Sequence, residues 1–186
     1  MRDLTEPRPV SYFAGLLAGD AGLFGAVERD LAVVLGPVAA RSEVLPWNVS
    51  NYYQAEMGAG LLRRFLLFEP LSSPGQLASI KLKTREIESR YHRAPETGAG
   101  RLVNIDPGYI DQAKVVLAST KGAGHRIYLG SGIYAEATLY YVNGGFQPCH
   151  YTYADFLWPE TLGFLAAARR RYLERLNAQR KPPGAS

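Results

Sequence analysis

The chain has 186 residues, a formal net charge of +4, and 47% hydrophobic and 20% charged residues, which is ordinary for a soluble protein with one compact core. A single cysteine, Cys149, excludes an internal disulfide framework and a cysteine-rich zinc site. No apolar stretch of about 18 residues could span a membrane, and the N-terminus lacks the apolar core of a signal peptide, so we expect a cytoplasmic protein.

The first half of the chain alternates between strand and helix signals. Alternating apolar residues indicate strands, and apolar residues at helical spacing, bounded by Gly36-Pro37 and by Ser73-Pro74, indicate two helices. The predicted elements are a strand at 9–18, a helix at 21–35, strands at 38–45 and 61–69, a helix at 75–91 and a strand at 101–105.

The second half is richer in strand signals. β-Branched and aromatic residues favour strands, Asn143-Gly144-Gly145 is typical of a hairpin, and Pro159 opens a final helix. The predicted elements are strands at 113–120, 125–130 and 133–142, a helix at 159–176 and a disordered tail at 178–186.

This order of elements predicts an α+β fold. Strand, helix, strand, strand, helix, strand is the order of a ferredoxin-like split βαβ core. That core would occupy roughly the first 105 residues, with both early helices on one face of the sheet in a two-layer architecture. The remaining residues would extend a mostly antiparallel sheet and add a C-terminal helix, within one domain of residues 1–177.

The positive charge is concentrated at the C-terminus. Residues 169–186 hold six basic residues against Glu174, a net charge of +5, so the preceding part of the chain carries −1 of the total of +4. Arg169, Arg170 and Arg171 are consecutive and would spread around a helix instead of forming one stripe. The pattern favours a solvated helix end, whose basic residues suit the helix dipole.

Standard catalytic and nucleotide-binding motifs are missing from the sequence. It contains no phosphate loop, no G-x-G-x-x-G, no G-x-S-x-G and no H-E-x-x-H, and therefore indicates neither a cofactor nor a catalytic nucleophile. The segment Val103-Asn104-Ile105-Asp106-Pro107-Gly108 is typical of a strand that ends in an Asp-Pro-Gly turn. Asn104 and Asp106, two residues apart, would then share one face at the strand end.

A first candidate site gathers around these two residues. Lys121, His125 and Arg126 bracket a glycine-rich loop, and Glu136 lies inside an apolar and aromatic strand. A carboxylate in such a strand is either on a solvated face, with a partner such as Arg126, or part of a site. If the site exists, Asp106 should approach a cationic side chain, foremost Lys121, His125 or Arg126, and share a pocket with Glu136.

A second candidate site lies earlier in the chain. The segment 51–58 contains Tyr53 and Glu56, and Arg63 and Arg64 follow it. Tyrosines, a carboxylate and an arginine are suited to an anionic or planar ligand. Adjacent strand residues face opposite ways, so at most one of the two arginines can face a given pocket. The alternative is an ordinary loop packed by its tyrosines.

Several blocks of the sequence resemble one prokaryotic family, Domain of Unknown Function 4416. The blocks are N-Y-Y-Q-A-E-M-G-A-G-L-L-R-R-F, I-K-L-K-T-R-E-I-E, R-L-V-N-I-D-P-G-Y, K-V-V-L-A-S-T-K and H-R-I-Y-L-G-S-G-I-Y-A-E-A-T-L-Y-Y. The resemblance extends from about Pro9 to Leu176 and implies no defined activity. Some members carry a label of GTP-binding protein, but this chain lacks the phosphate loop and N-K-x-D. The segments 41–49 and 92–100 look like variable connections without site residues.

Three hypotheses for function follow. The leading hypothesis is a protein, either a binding protein or an enzyme, that takes a small anionic ligand such as a nucleotide or phosphate ester. Lys121, His125 and Arg126 would hold the anion, while Asn104, Asp106 and Glu136 would orient it, directly or through a divalent cation. The alternatives are an RNA-binding module with an open aromatic sheet face and a basic tail, and a non-enzymatic protein-interaction domain.

Overall fold

A computed structural model describes residues 3–50, 52–93 and 100–180. The strands are β1 (Val10–Ala18), β2 (Val38–Arg41), β3 (Leu45–Pro46), β4 (Leu62–Ser72), β5 (Val103–Ile110), β6 (Lys114–Ser119), β7 (Ile127–Gly130), β8 (Ile133–Val142) and β9 (Gly145–Pro148). The helices are α1 (Gly22–Leu35), α2 (Gln54–Met57), α3 (Leu77–Glu88) and α4 (Pro159–Arg180), with short 3-10 turns at Pro74–Gln76 and Ala154–Leu157. Of the predicted tail, residues 178–180 belong to α4, and 181–186 lie outside the described residues.

The strands form one antiparallel sheet. Its order is β2-β4-β1-β5-β6-β8-β7, with β3 beside β4 and β9 beside β8. The predicted α+β class, the large antiparallel sheet and the C-terminal helix are confirmed. The hairpin between β8 and β9 forms where predicted, with positive φ at Asn143 and Gly144, as a two-residue hairpin turn requires.

Helices α1 and α3 pack on the same face of this sheet, as expected. Phe24 and Leu31 of α1 and Ile80 of α3 belong to one core cluster with Tyr12 and Leu16 of β1. These helix positions recur at helical spacing, and the strand positions alternate, so each element contributes one apolar face. The shared core places both early crossovers on one side of the sheet.

The opposite face of the sheet is also covered, so the expected two-layer architecture is wrong. Leu165 and Ala168 of α4, with Phe156, bury Phe13 and Phe65 on this second face. All nine residues of β1 are buried, and a strand that is apolar on both faces needs cover on both. The result is a helix–sheet–helix arrangement. No described helix, including the 22-residue α4, combines the length and hydrophobicity that a membrane crossing requires.

Asp106-Pro107-Gly108 continues β5, so the predicted turn is wrong. The ladder between β5 and β1 runs without a break from Val103 to Ile110. Pro107 is accommodated because β6 pairs with β5 only from Gly108 onward, and a proline in a sheet needs an edge that requires no N–H donor. Gly108 serves close packing, since an added Cβ would overlap the Val116 carbonyl oxygen and lie 2.8 Å from Phe13 Cζ.

Strands β5 and β6 diverge at one end of the sheet. They pair only at Gly108–Ile110 against Val115–Leu117. Beyond that point β5 remains bonded to β1, and β6 continues along β8 to Ser119. A cleft therefore opens between two neighbouring strands in the middle of the sheet, and side chains of α3 reach the backbone edge of β5 that it exposes.

Candidate functional site

A cavity of about 430 Å³ occupies the cleft between β5 and β6. Strands β4, β5, β6 and β8, helix α3, and the segments before α2 and around the second 3-10 turn all contribute to its wall. Ten of the lining residues are charged: Arg63, Lys81, Arg85, Glu88, Arg101, Asp106, Lys121, Arg126, Glu136 and Asp155. Such a concentration of charge in one concave site is unusual for a surface that only has to be soluble.

The two candidate sites predicted from the sequence meet at this cavity. From the first candidate, the residues that line it are Asn104, Asp106, Lys121, Arg126 and Glu136; from the second, they are Tyr53 and Arg63. His125 and Glu56 do not line it. Each contacts a residue that does: His125 Nε2 lies 2.9 Å from Glu136 Oε2, and Glu56 Oε1 lies 3.1 Å from Arg101 Nε.

Arg63 is the central cation of the cavity floor. Its guanidinium donates from Nη1 to Asp106 Oδ2 at 3.1 Å, and Nη2 lies 2.9 Å from Asp155 Oδ2. Arg63 projects from β4 across β1 to reach β5. Gly15 of β1 makes this possible, because a Cβ there would lie 3.0 Å from the guanidinium. The Trp47 and Phe65 rings pack around the same group, with the Arg63 Cζ 5.5 and 4.9 Å from their centroids.

The two carboxylates beside Arg63 have opposite pKa shifts. Burial would raise the pKa of Asp106, but the charges of Arg63 and Lys81, together with hydrogen bonds from Arg63 and Asn104, outweigh it and lower that pKa. Burial also raises the pKa of Asp155, and there the attraction of Arg63 is too small to compensate. Asp106 is therefore held as a carboxylate, while Asp155 bears the cost of desolvation.

Asp106 approaches cationic side chains, as predicted, but the two that pair with it are not among those named first. Its neighbours are Arg63 and Lys81, whose Nζ lies 4.0 Å from Oδ1, and not Lys121, His125 or Arg126. The reason is topological. Asp106 faces β4 across Gly15 and faces α3 across the cleft, whereas His125 and Arg126 are bonded to Glu136 on the far wall.

Helix α3 caps the free edge of β5. Ile105 lies where β6 has already separated, so its backbone groups lack a strand partner. Its N–H donates to Glu88 Oε1 at 2.5 Å, and its carbonyl oxygen accepts from Lys81 Nζ at 2.7 Å. Burial raises the pKa of Glu88 despite the attraction of Lys81. These bonds hold the cleft open without an unpaired backbone edge.

Glu136 is buried and paired on the opposite wall. Arg126 Nε donates to its Oε2 at 2.6 Å, and His125 Nε2 lies 2.9 Å from the same oxygen. Arg126 also donates to the Tyr153 hydroxyl and to the Lys121 carbonyl oxygen. The partner suggested by the sequence, Arg126, is correct, but the face is buried instead of solvated, since Glu136 is only 3% exposed.

Several lining residues escaped the sequence analysis. Lys81, Arg85 and Glu88 occupy positions i, i+4 and i+7 of α3, a spacing that places them on one helix face and could have been recognised. Trp47 contradicts the expectation that segment 41–49 carries no site residue. Asp155 and Tyr153 follow no motif, and only the packing of the second 3-10 turn against β4 brings them to the cavity.

Metal binding by carboxylates has no preformed site in residues 3–50, 52–93 and 100–180. No group of three or more histidine, cysteine, aspartate or glutamate side chains converges there. Asp106 and Glu136, the carboxylates considered for a divalent cation, are each engaged by a separate arginine. The cavity is thus organised around arginine–carboxylate pairs.

The opposite pKa shifts predict opposite pH dependence for two isosteric variants. Because the pKa of Asp155 is raised in the folded protein, its ionisation destabilises the fold. The free energy of unfolding of Asp155→Asn should therefore increase relative to that of wild type as pH rises through the folded pKa. Because the pKa of Asp106 is lowered in the folded protein, the ionised carboxylate stabilises the fold, and this stabilisation is complete above the unfolded pKa. The free energy of unfolding of Asp106→Asn should therefore decrease relative to that of wild type as pH rises. Urea unfolding from about pH 3 to pH 8 measures both differences. If the stability difference from wild type changed with pH in the same direction for both variants, the opposite pKa shifts of Asp106 and Asp155 would be contradicted.

The fold and cavity together define an α+β protein with a charged central cleft. The chain belongs to the family Domain of unknown function (DUF4416), whose model matches residues 8–172, as the resemblance of its sequence blocks implied. No match was found among the curated proteins or the solved structures.

Proposed function

We propose that the protein binds a small anionic ligand, a nucleotide or phosphate ester, in the cavity between β5 and β6. The main support is the charge of the lining, in which six basic residues face four acidic ones. Low-dielectric walls strengthen the field of such an excess. A volume of about 430 Å³ lies within the range of small-molecule sites.

The anionic group would bind at the mouth of the cavity. Lys121 is exposed, and the partner of its ammonium group among the described residues is Tyr52, through the hydroxyl and the ring. Arg85 is exposed and, among the described residues, makes no ion pair or side-chain hydrogen bond. Arg101 lies 3.1 Å from Glu56 and 3.8 Å from Glu88. Lys121 and Arg85 are therefore available for a phosphate, whereas Arg63 and Arg126 are committed to buried carboxylates.

A second groove, of about 520 Å³, lies between β4 and α4 and also contains arginines. Arg171 and Arg175 are there paired with Glu69, each with a nitrogen 3.2 Å from one carboxylate oxygen. An anion would have to displace Glu69, so this groove is the weaker candidate. The RNA alternative has less support as well, because helices cover both faces of the central strands.

We also propose a more specific fold and a cellular compartment for the protein. The order β2-β4-β1-β5, with helices after β1 and β4, supports a ferredoxin-like split βαβ core. We propose that residues 1–177 form one domain. A lone partly buried cysteine suits the reducing cytosol, which is the compartment we propose.

The ligand proposal predicts stabilisation by phosphate compounds. Thermal unfolding should be measured with inorganic phosphate, pyrophosphate, sugar phosphates and nucleotides, since a ligand at 100 times its Kd adds about 2.7 kcal/mol. Arg85→Gln and Lys121→Gln should each bind the compound that wild type binds most tightly with an affinity lower by about 10-fold or more, the loss expected for one charge-assisted hydrogen bond.

Lys83→Gln is the matched control, because Lys83 is exposed on α3 but lies outside the cavity. The affinity of the Lys83→Gln variant for the same compound should remain within about twofold of that of wild type. Failure of every phosphate compound to stabilise the wild-type protein would refute the proposal. Equal losses in Lys83→Gln and Arg85→Gln would show that only the general surface charge attracts the anion.

A further inference from the structure

We infer that the ligand carries neighbouring hydroxyl groups and that Asp155 accepts hydrogen bonds from them at the inner end of the cavity. The ligand class is thus a phosphorylated sugar, either free or as the ribose of a nucleotide. This inference rests on the proposed function for the anionic end. It adds a separate recognition site for the neutral part of the same molecule.

Asp155 is a buried carboxylate whose ion-pair partner among the described residues is Arg63 and whose oxygens have unused hydrogen-bonding capacity. It lines the cavity and is 1% exposed, yet neither oxygen accepts a hydrogen bond from the described residues. Arg63 Nη2 lies 2.9 Å away but without the alignment of a hydrogen bond. A buried carboxylate whose oxygens accept no well-aligned hydrogen bond carries a desolvation cost that an ion pair offsets only in part. Retaining it on a cavity wall is explained if a ligand supplies the donors.

Two donors, one on Arg63 itself and one on the neighbouring Trp47, lack acceptors. Trp47 Nε1 and Arg63 Nε are buried, and neither finds a hydrogen-bond partner among the described residues. Both residues line the cavity, and the Arg63 guanidinium lies 5.5 Å from the Trp47 ring centroid. The inner end therefore presents both an unmatched acceptor and unmatched donors within one small region.

Hydroxyl groups satisfy this combination better than other small polar groups. A hydroxyl both donates and accepts, whereas an ammonium only donates and a carboxylate only accepts. The charges at the inner end also balance, because Arg63 and Lys81 oppose Asp106 and Asp155. A balanced site has no net attraction for a charged amine. Two neighbouring hydroxyls can occupy both oxygens of Asp155 while accepting from Trp47 or Arg63.

The test compares matched sugar phosphates by calorimetry. Wild-type protein should bind ribose 5-phosphate at least about 10-fold more tightly than 2-deoxyribose 5-phosphate, the difference expected for one hydrogen bond to a charged acceptor. AMP and 2′-deoxy-AMP form a second pair, which distinguishes a nucleotide from a free sugar phosphate. If the AMP pair binds more tightly, the hydroxyl groups belong to the ribose of a nucleotide, and if the ribose phosphate pair does, they belong to a free sugar phosphate.

Asp155→Asn should reduce the preference for the hydroxylated member to less than about threefold while inorganic phosphate still binds at least as tightly as to wild type, because the basic residues at the mouth are untouched and one negative charge is removed. Asp30→Asn, which alters a carboxylate outside the cavity, should keep the full preference. Circular dichroism and thermal unfolding verify that each variant is folded. If Asp155→Asn is unfolded, Trp47→Phe provides the same comparison, because it removes the unmatched indole donor.

Failure of this inference is distinguishable from failure of the anion proposal. Equal binding of the hydroxylated and deoxy compounds by wild type, or a preference that survives in Asp155→Asn, overturns the role of Asp155 even if phosphate binds. If no phosphate compound binds, the neutral sugars ribose and glucose decide the matter. Binding of a neutral sugar that is lost in Asp155→Asn supports the inference, and its absence overturns it.

Discussion

Replacing Arg63 with leucine is expected to lower the free energy of unfolding by about 3–5 kcal/mol, the cost of removing one partner from a buried ion pair. Arg63 is 3% exposed and pairs with both Asp106 and Asp155. Without it, two carboxylates remain in a poorly hydrated cavity, and leucine fills the volume but supplies no donor. Urea unfolding at neutral pH measures the loss.

Arg64→Leu is the control, because Arg64 is the next residue of β4 and faces the other way. Among the residues that the structure describes, its side chain donates to the Ser42 carbonyl oxygen at 3.4 Å and lies near the Phe24 ring, so the loss should stay below about 1 kcal/mol. Asp155→Asn in the Arg63→Leu background should restore part of the stability. Similar losses for the two arginine variants would mean that Arg63 is not the neutralising centre of the cavity.

Gly108→Ala is expected to lower the free energy of unfolding by about 3 kcal/mol, at the upper end of the range for overpacking. The added Cβ would overlap the Val116 carbonyl oxygen and lie 2.8 Å from Phe13 Cζ and 2.9 Å from Leu117 Cδ2. Backbone atoms of β6 cannot yield as a flexible side chain does. Because β5 and β6 pair only over three residues, the clash would disturb the junction from which the cleft opens.

The opposite sign is expected for Gly163→Ala, which makes the same chemical change in α4. Apart from the helix's own backbone and the adjacent residues, no atom of the described part of the chain lies within 4 Å of a Cβ at that position, and alanine favours a helix over glycine by about 1 kcal/mol. Thermal unfolding of the two variants therefore separates steric overlap from backbone entropy. A Gly108→Ala protein as stable as wild type would show that β6 can retreat and that the close approach is not required.

Local patterns were sufficient where each element depends mainly on its own residues. Strand β8 begins and ends where its alternation predicts, and α1 ends at Leu35 before Gly36 as its stop signal indicates. Both follow from short-range rules for side-chain spacing and backbone freedom. The same rules failed for Pro107 and Gly108, because the signature of a turn also fits a strand whose neighbour diverges on one side.

The candidate site was recovered only in pieces, because its residues are far apart in the sequence. Asp106 and Glu136 were grouped correctly, and Arg63 was proposed separately with Tyr53, but nothing in the sequence places Arg63 beside Asp106. That contact depends on Gly15 in an intervening strand, and the order of the strands in the sheet brings the two side chains together. Asp155 was missed because a single carboxylate before a helix has no distinctive spacing.

The sequence by itself determined the family, the α+β class and most strand and helix boundaries, because these depend on local spacing and on contiguous blocks. The tertiary structure decided that a second helical layer covers the sheet, that β5 and β6 separate, and that Arg63 joins Asp106 to Asp155. These features arise from long-range packing. Which charges neutralise one another depends on distances between strands, and residue spacing along the chain does not specify those distances.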